Sequence, residues 1–192
     1  MNWNQVIFSD ETIVRLNLVK GFVWNPPGKK KIIRTVKHSI KVNVWGRFSS
    51  LGFGRIVCFK QNFDAKLMCS IYKRGLLSTT RKQFCNDMTQ RKLQEDNDPK
   101  HRSKLATKWK IGNGVKKIDW SSMSPDLAPI ENVWQLLKMN LRKRKITTYQ
   151  QLIAAIKKEW KRLSPNFAMR LVQYMDNRIS KVIQSQGDFI FH

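Results

Sequence analysis

Apolar runs of strand length occupy the chain from Val6 to Ile118, and helix-period apolar stripes take over from Ile130 onward. Strands thus come first and helices later. Val6-Ile7-Phe8 reads as a short buried strand running into Ser9-Asp10-Glu11, so Asp10 is expected at or just past the strand end. Val42-Asn43-Val44-Trp45 alternates as a half-buried strand does. Arg55 to Phe59 forms another run after the Gly52-Phe53-Gly54 turn, which together predict an antiparallel meander. Lys92 to Glu95 and Val115 to Ile118 read as further strands, with Ser103 to Trp109 helical between them.

Residues 65–88 are loosely helical, with Leu67, Met68, Ile71, Tyr72 and Phe84 as buried candidates and interruptions at Gly75 and Ser78-Thr79-Thr80. Ile130, Val133, Trp134, Leu137 and Leu141 fall at helical spacing, with Pro129 suited to the first helical position. Two more stripes follow. Tyr149, Leu152, Ile153, Ile156, Trp160 and Leu163 line one; Phe167, Leu171, Tyr174, Ile179 and Ile183 line the next, opened by Ser164-Pro165 and closed by Gly187. Residues 17–38 read as a clamp-like excursion, since Trp24-Asn25-Pro26-Pro27-Gly28 breaks regular structure ahead of a lysine run.

A length of 192 residues with 41% hydrophobic content and seven tryptophans suits one domain with a substantial core. No apolar stretch approaches the roughly 20 residues of a membrane helix, so no membrane partner is expected and the chain is read as soluble and intracellular. Three cysteines, Cys58, Cys69 and Cys85, are too widely spaced for a zinc knuckle and read as apolar fillers. Thirty-seven Lys and Arg against 13 Asp and Glu leave a formal charge of +24, far beyond what solubility requires. A polyanion such as nucleic acid is the implied partner, bound through counterion release at phosphates. The local runs Lys29, Lys30, Lys31 and Arg142, Lys143, Arg144, Lys145 are the candidate contacts, with Lys100 and His101 beside them in the EDNDPKH segment.

In so basic a chain, three acids draw notice: Asp10, Asp96 and Glu131. Thirty-four residues lie between the last two, and all three sit where a strand end or a helix start presents a carboxylate to a shared point. They have the look of a metal-binding catalytic triad. Taken alone, Glu131 is equally a first-turn charge favoured by the helix dipole. Asp98 before Pro99 reads as turn or cap chemistry, Asp126 as an architectural turn residue, and Trp45, Trp120 and Trp134 as core.

SDE at Asp10, VNVWGRFS around Trp45, EDNDPKH at Asp96 and SPDLAPIENVW at Glu131 occur in the order seen in Tc/mariner transposases. The chain resembles that family along nearly its whole length. The resemblance implies an α/β, ribonuclease-H-like fold: a mixed five-stranded sheet flanked by helices, its first and fourth strands adjacent and carrying the two aspartates, with extra C-terminal helices over 148–186. It implies phosphoryl transfer at DNA, with two Mg2+ or Mn2+ ions held by Asp10, Asp96 and Glu131 activating a water or terminal hydroxyl. In that scheme Asp96 serves one ion, Glu131 the other, and Asp10 bridges. The implied partners are transposon ends and target DNA, the implied assembly a homodimer, and the implied compartment the nucleus.

Two departures from the family pattern bear on function. Relatives carry two helix-turn-helix modules ahead of the catalytic domain, whereas nine residues precede Asp10 here, so the expected DNA binding is largely sequence-independent. Ala128 stands where relatives commonly have Asn, removing an N-cap worth about 1 kcal/mol from the Glu131 helix. Three functions are weighed: a metal-dependent DNA strand transferase or nuclease, a non-catalytic DNA-binding remnant acting through charge, and a nuclease for RNA–DNA hybrids suggested by fold analogy.

Overall fold

The computed structural model describes residues 1–16, 40–84, 91–120 and 127–185. The expected excursion with Lys29, Lys30 and Lys31 lies outside these residues, as do Cys85, Asp126 and Gly187.

The first strand, β1 (Val6–Arg15), is the spine of the sheet. It pairs antiparallel with β2 (Lys41–Ser49) over eight registered positions, from Phe8 against Phe48 to Arg15 against Lys41. Two short strands, β3 (Gly52–Phe53) and β4 (Val57–Phe59), pair antiparallel with β2 and complete the meander. Two short helices, α1 (Ala65–Ile71) and α2 (Ser78–Gln83), are joined by a π-helical turn over Tyr72–Leu77. Gly75 in that turn lets the helix backbone close on the Trp45 ring. Then β5 (Lys92–Gln94) enters parallel to β1, with Phe8 opposite Gln94. Helices α3 (Pro99–Arg102) and α4 (Lys104–Gly112) lead to the edge strand β6 (Lys116–Lys117), parallel to β5. Among the described residues the sheet has six strands, the expected five together with the two-residue β3 in the turn after β2. Its first and fifth strands take the adjacent places expected for the first and fourth.

Four helices close the chain: α5 (Ile130–Arg142), α6 (Tyr149–Lys161), α7 (Pro165–Gln173) and α8 (Met175–Gln184). Helix α6 starts in a capping box, with the Thr148 hydroxyl accepting from the Gln151 amide and the Gln151 side chain accepting from the Thr148 amide. The last stripe was expected to form one helix, yet it is two, broken at Tyr174. The break rotates the second half, so that Met175 and Arg178 are buried while Ile183 is 71% exposed.

Strand alternation divides the core into two layers. Val6, Phe8, Val42, Val44 and Phe48 face α5, α6 and α7. Ile7, Trp45, Val57 and Leu93 face α1, the π-helical turn and Val115. The α5 stripe is buried along its length at Ile130, Val133, Trp134, Leu137 and Leu141, each contributing about 1.5–3 kcal/mol by leaving water. Cys58 and Cys69 are free thiols, and burial pushes Cys58 up to about 11, far from a reactive thiolate. No helix among the described residues is long and apolar enough to cross a membrane.

Candidate active site

The same alternation that splits the core sorts the acids. Asp10 continues the face of Val6 and Phe8, towards α5, whereas Glu11 continues the face of Ile7, towards α1 and α4. Asp10 lies within β1 rather than at its end, because β1 runs on to Arg15 against β2. On the β5 side, pairing stops at Phe8 and Gln94. Asp10 and Asp96 each stand two residues past that last rung, level with one another at the end of the parallel pair.

The Asp10 carboxylate accepts a hydrogen bond from Trp134 Nε1 at 2.9 Å. The Trp134 ring is held by a stack on Trp160, centroids 5.4 Å apart, and Trp160 Nε1 donates to the Gly54 carbonyl at 2.8 Å. Gly46, opposite Asp10 on β2, makes room for this pair: a Cβ there would fall 2.6 Å from Trp134 Cη2 and 2.7 Å from Trp160 Cη2. Burial, then the charges of Glu11 and Glu131, raise the Asp10 pKa to about 8. The electrostatic contact puts Glu131 in the same field as Asp10. Glu131 sits exposed in the first turn of α5. Pro129 is the N-cap rather than the first helical residue, and no side chain caps this helix.

Asp96 is 56% exposed and lies in the segment after β5. Its Oδ1 accepts from the Asp98 amide at 3.1 Å and stands 3.2 Å from His101 Nε2. Asp98 caps α3 by accepting from the Lys100 amide, and its other oxygen pairs with Lys100 Nζ at 2.7 Å.

His101, expected from sequence as a DNA contact, is 2% exposed and offers no ring surface to a phosphate. Its Nε2 is 3.2 Å from Glu11 Oε2, and its Nδ1 is 2.9 Å from Tyr72 Oη and 3.3 Å from Glu95 Oε2. Burial opposes a charged ring, but hydrogen bonds to Glu11 and Glu95, with their charges, lift the His101 pKa to about 10. Tyr72 and Lys110 both donate to Glu95, whose buried carboxylate is held below its usual range by His101 and Lys110 despite the cost of burial.

The expected trio is thus arranged around β1 in two adjoining sets. Asp10 and Glu131 share one side, while Asp96 reaches towards Glu11 and His101. Glu11, Asp96 and His101 each bring a donor atom within 4.8 Å of the others, close enough to hold a metal ion. Glu11 and Trp134 are the residues that sequence reasoning missed. Alternation along SDE signals that Glu11 faces away from Asp10, but nothing local signals its partner ninety positions on. Of the other basic candidates, Arg142, Lys143 and Lys145 are exposed, Lys100 is tied to Asp98 and packs over Phe63, and Arg144 is ion-paired with Glu159.

Residues 5–153 match the model of the DDE superfamily endonucleases. The chain belongs to the DDE endonuclease superfamily. Within that superfamily its similarities are to Tc1- and mariner-type transposases. It is 29% identical over 192 residues to the Tcb1 transposase of Caenorhabditis briggsae, covering 96% of this chain and 69% of that protein. The Tc1 transposase of Caenorhabditis elegans is likewise 29% identical over 194 residues, again covering 96% and 69%. The fold superposes on the Mos1 transposase paired-end complex with a TM-score of 0.84 at 15% identity, covering 98% of this chain and 57% of that one. Mos1 paired end complexes have been solved with Mn and with Mg. This DDE domain therefore has the sheet and helix arrangement of the Mos1 transposase while spanning little more than half of its chain.

Proposed function

We propose that this DDE domain cleaves and rejoins DNA phosphodiesters, with Asp10, Asp96 and Glu131 as the ligands of two divalent cations, Mg2+ or Mn2+. The observation that carries this reading is the crowding of carboxylates at the end of the β1–β5 pair, where Asp10 takes a pKa of about 8 beside Glu11 and Glu131. Oxygen donors whose charges repel are suited to hard cations, which offset them. Bound cations supply Lewis acidity at the scissile phosphate and lower the pKa of the attacking water or hydroxyl. Asp10 is steadied by Trp134 Nε1, Asp96 by the Asp98 amide and His101, and Glu131 is carried on a helix fixed by its buried stripe. These supports give the acids a set geometry before substrate arrives.

DNA is the proposed substrate. The +24 charge supports it, and so does a groove of about 510 Å³ between the β3–β4 turn and α6. Among the described residues, Arg55, Arg74, Lys157 and Lys161 line this groove without an acidic residue, and Trp160 forms part of its wall. Trp160 in the groove wall stacks on Trp134, which in turn donates a hydrogen bond to Asp10. Exposed Arg142, Lys143 and Lys145 extend the basic surface beyond α5. Nuclear location and action as a dimer on paired DNA ends belong to the same proposal.

The test is cleavage of duplex DNA, RNA–DNA hybrid and RNA with Mg2+ or Mn2+, comparing the chain with Asp96→Ala. Metal-dependent DNA cleavage by the parent chain and its loss in the variant are expected. Equal cleavage by both would reject the catalytic reading, and DNA binding without cleavage by either would leave only a charge-driven binder.

A further inference from the structure

Behind Asp96, on the face of the sheet opposite Asp10, lies a largely buried set of groups, of which the proposed chemistry draws on His101 alone: Glu11, Tyr72, Glu95, His101 and Lys110. Asp96 needs a tether. It sits beyond the last β5 rung, more than half exposed, without a strand partner among the described residues to hold its backbone. His101 is the opposite case, since three contacts fix its ring and main chain. Nδ1 meets Tyr72 Oη at 2.9 Å, and because that hydroxyl already donates to Glu95, the ring nitrogen is the donor. Lys110 Nζ donates to the His101 carbonyl at 2.9 Å, and the Phe63 ring packs edge-on at 6.1 Å. The remaining nitrogen, Nε2, therefore has one direction available, and it lies 3.2 Å from both Asp96 Oδ1 and Glu11 Oε2.

We propose that His101 and Glu11 are positioning residues, which clamp the Asp96 carboxylate to β1 at the level of Asp10. The inference rests on the assignment of Asp96 as a cation ligand. Glu11 is the residue after Asp10, so the clamp joins the two strand-borne acids through a single imidazole. A merely structural role would be met more cheaply by apolar side chains, for Glu11 Oε1 is buried without a partner among the described residues. Lys110, Lys117 and His101 offset Glu11 and Glu95, with Lys117 Nζ 3.9 Å from Glu95, so the clamp does not add net negative charge behind Asp96. Groups that orient a ligand in this way act on the affinity for the cation before they act on the chemical step.

The experiment measures Mn2+ binding by titration calorimetry on the full chain, alongside DNA cleavage as a function of Mn2+ concentration and the thermal unfolding midpoint. The variants are His101→Gln, Glu11→Gln and Asp96→Asn. His101→Gln and Glu11→Gln are expected to weaken Mn2+ binding roughly 10- to 100-fold, with kcat largely regained at saturating Mn2+. Glu11→Gln keeps size and a hydrogen-bonding end, and so stands as the informative variant if His101→Gln fails to fold. Mn2+ affinity within twofold of the parent in folded Glu11→Gln or His101→Gln, with Asp96→Asn losing binding, would overturn the clamp and leave Asp96 as a ligand. Unchanged Mn2+ binding in Asp96→Asn would overturn both assignments together.

Discussion

The proton affinity of Asp10 is set by where its side chain lies: buried first, then beside Glu11 and Glu131. A carboxyl with an ordinary pKa of 3.8 in the unfolded chain and about 8 in the fold binds its proton more tightly when folded. Its contribution to stability is therefore complete below the lower value and is lost as pH rises through the upper one. With metal chelated, the unfolding free energy is expected to fall between pH 4 and 8, and Asp10→Asn should flatten that fall; an unchanged slope would show that Asp10 is not buried as described. His101, lifted to about 10, adds a second fall above its ordinary 6.5 that Asp10→Asn leaves in place. Trp134 acts on the same carboxyl. Trp134→Phe keeps the six-membered ring but removes this hydrogen bond, worth about 0.5–1.5 kcal/mol while Asp10 holds its proton. Because that bond lowers the Asp10 pKa, the variant should raise it, which a carboxyl-resolved NMR titration would read directly.

Pairing of β1 with β2 and packing of α5 on α6 decide where Asp10 and Glu131 meet, and Gly46 is the point where the two arrangements touch. Gly46→Ala would drive a Cβ into Trp134 and Trp160. It is expected to cost about 1–3 kcal/mol in chemical denaturation and to weaken DNA cleavage by shifting the donor to Asp10; a fully stable, fully active variant would mean the tryptophan pair is free to move. Much of this element-level order was legible in the sequence. The α5 stripe announced a buried helix with Glu131 in its first turn, and Val6-Ile7-Phe8 announced the strand beneath Asp10. The length of β1 was not legible, because Thr12 to Arg15 are held by pairing with β2 rather than by an apolar run of their own. The break at Tyr174 was hidden because apolar residues continue through it at helical spacing. A stripe also reports that Trp134 is buried but not that its ring nitrogen reaches a carboxylate, and the clamp on Asp96 depends on chain segments far apart in sequence.

Across the whole molecule, the +24 charge is unevenly committed. Arg144 and Arg162 are bound to the buried Glu159, whereas Lys157 and Lys161 line the groove beside Trp160. If DNA follows that groove, Lys157→Ala and Lys161→Ala should each reduce the slope of log affinity against log salt by about 0.9. Arg144→Ala should leave the slope alone and lower the unfolding midpoint instead, losing roughly 1.5–3 kcal/mol. Equal effects of all three substitutions on the slope would place the DNA elsewhere. At the centre of the proposal, Asp10, Asp96 and Glu131 together hold the divalent cations. Anomalous scattering from crystals of the chain equilibrated with Mn2+ tests it most directly. The account predicts manganese coordinated by carboxylate oxygens of all three residues, with His101 and Glu11 outside the coordination sphere. Manganese held by Glu11, Asp96 and His101, with Glu131 uninvolved, would contradict it.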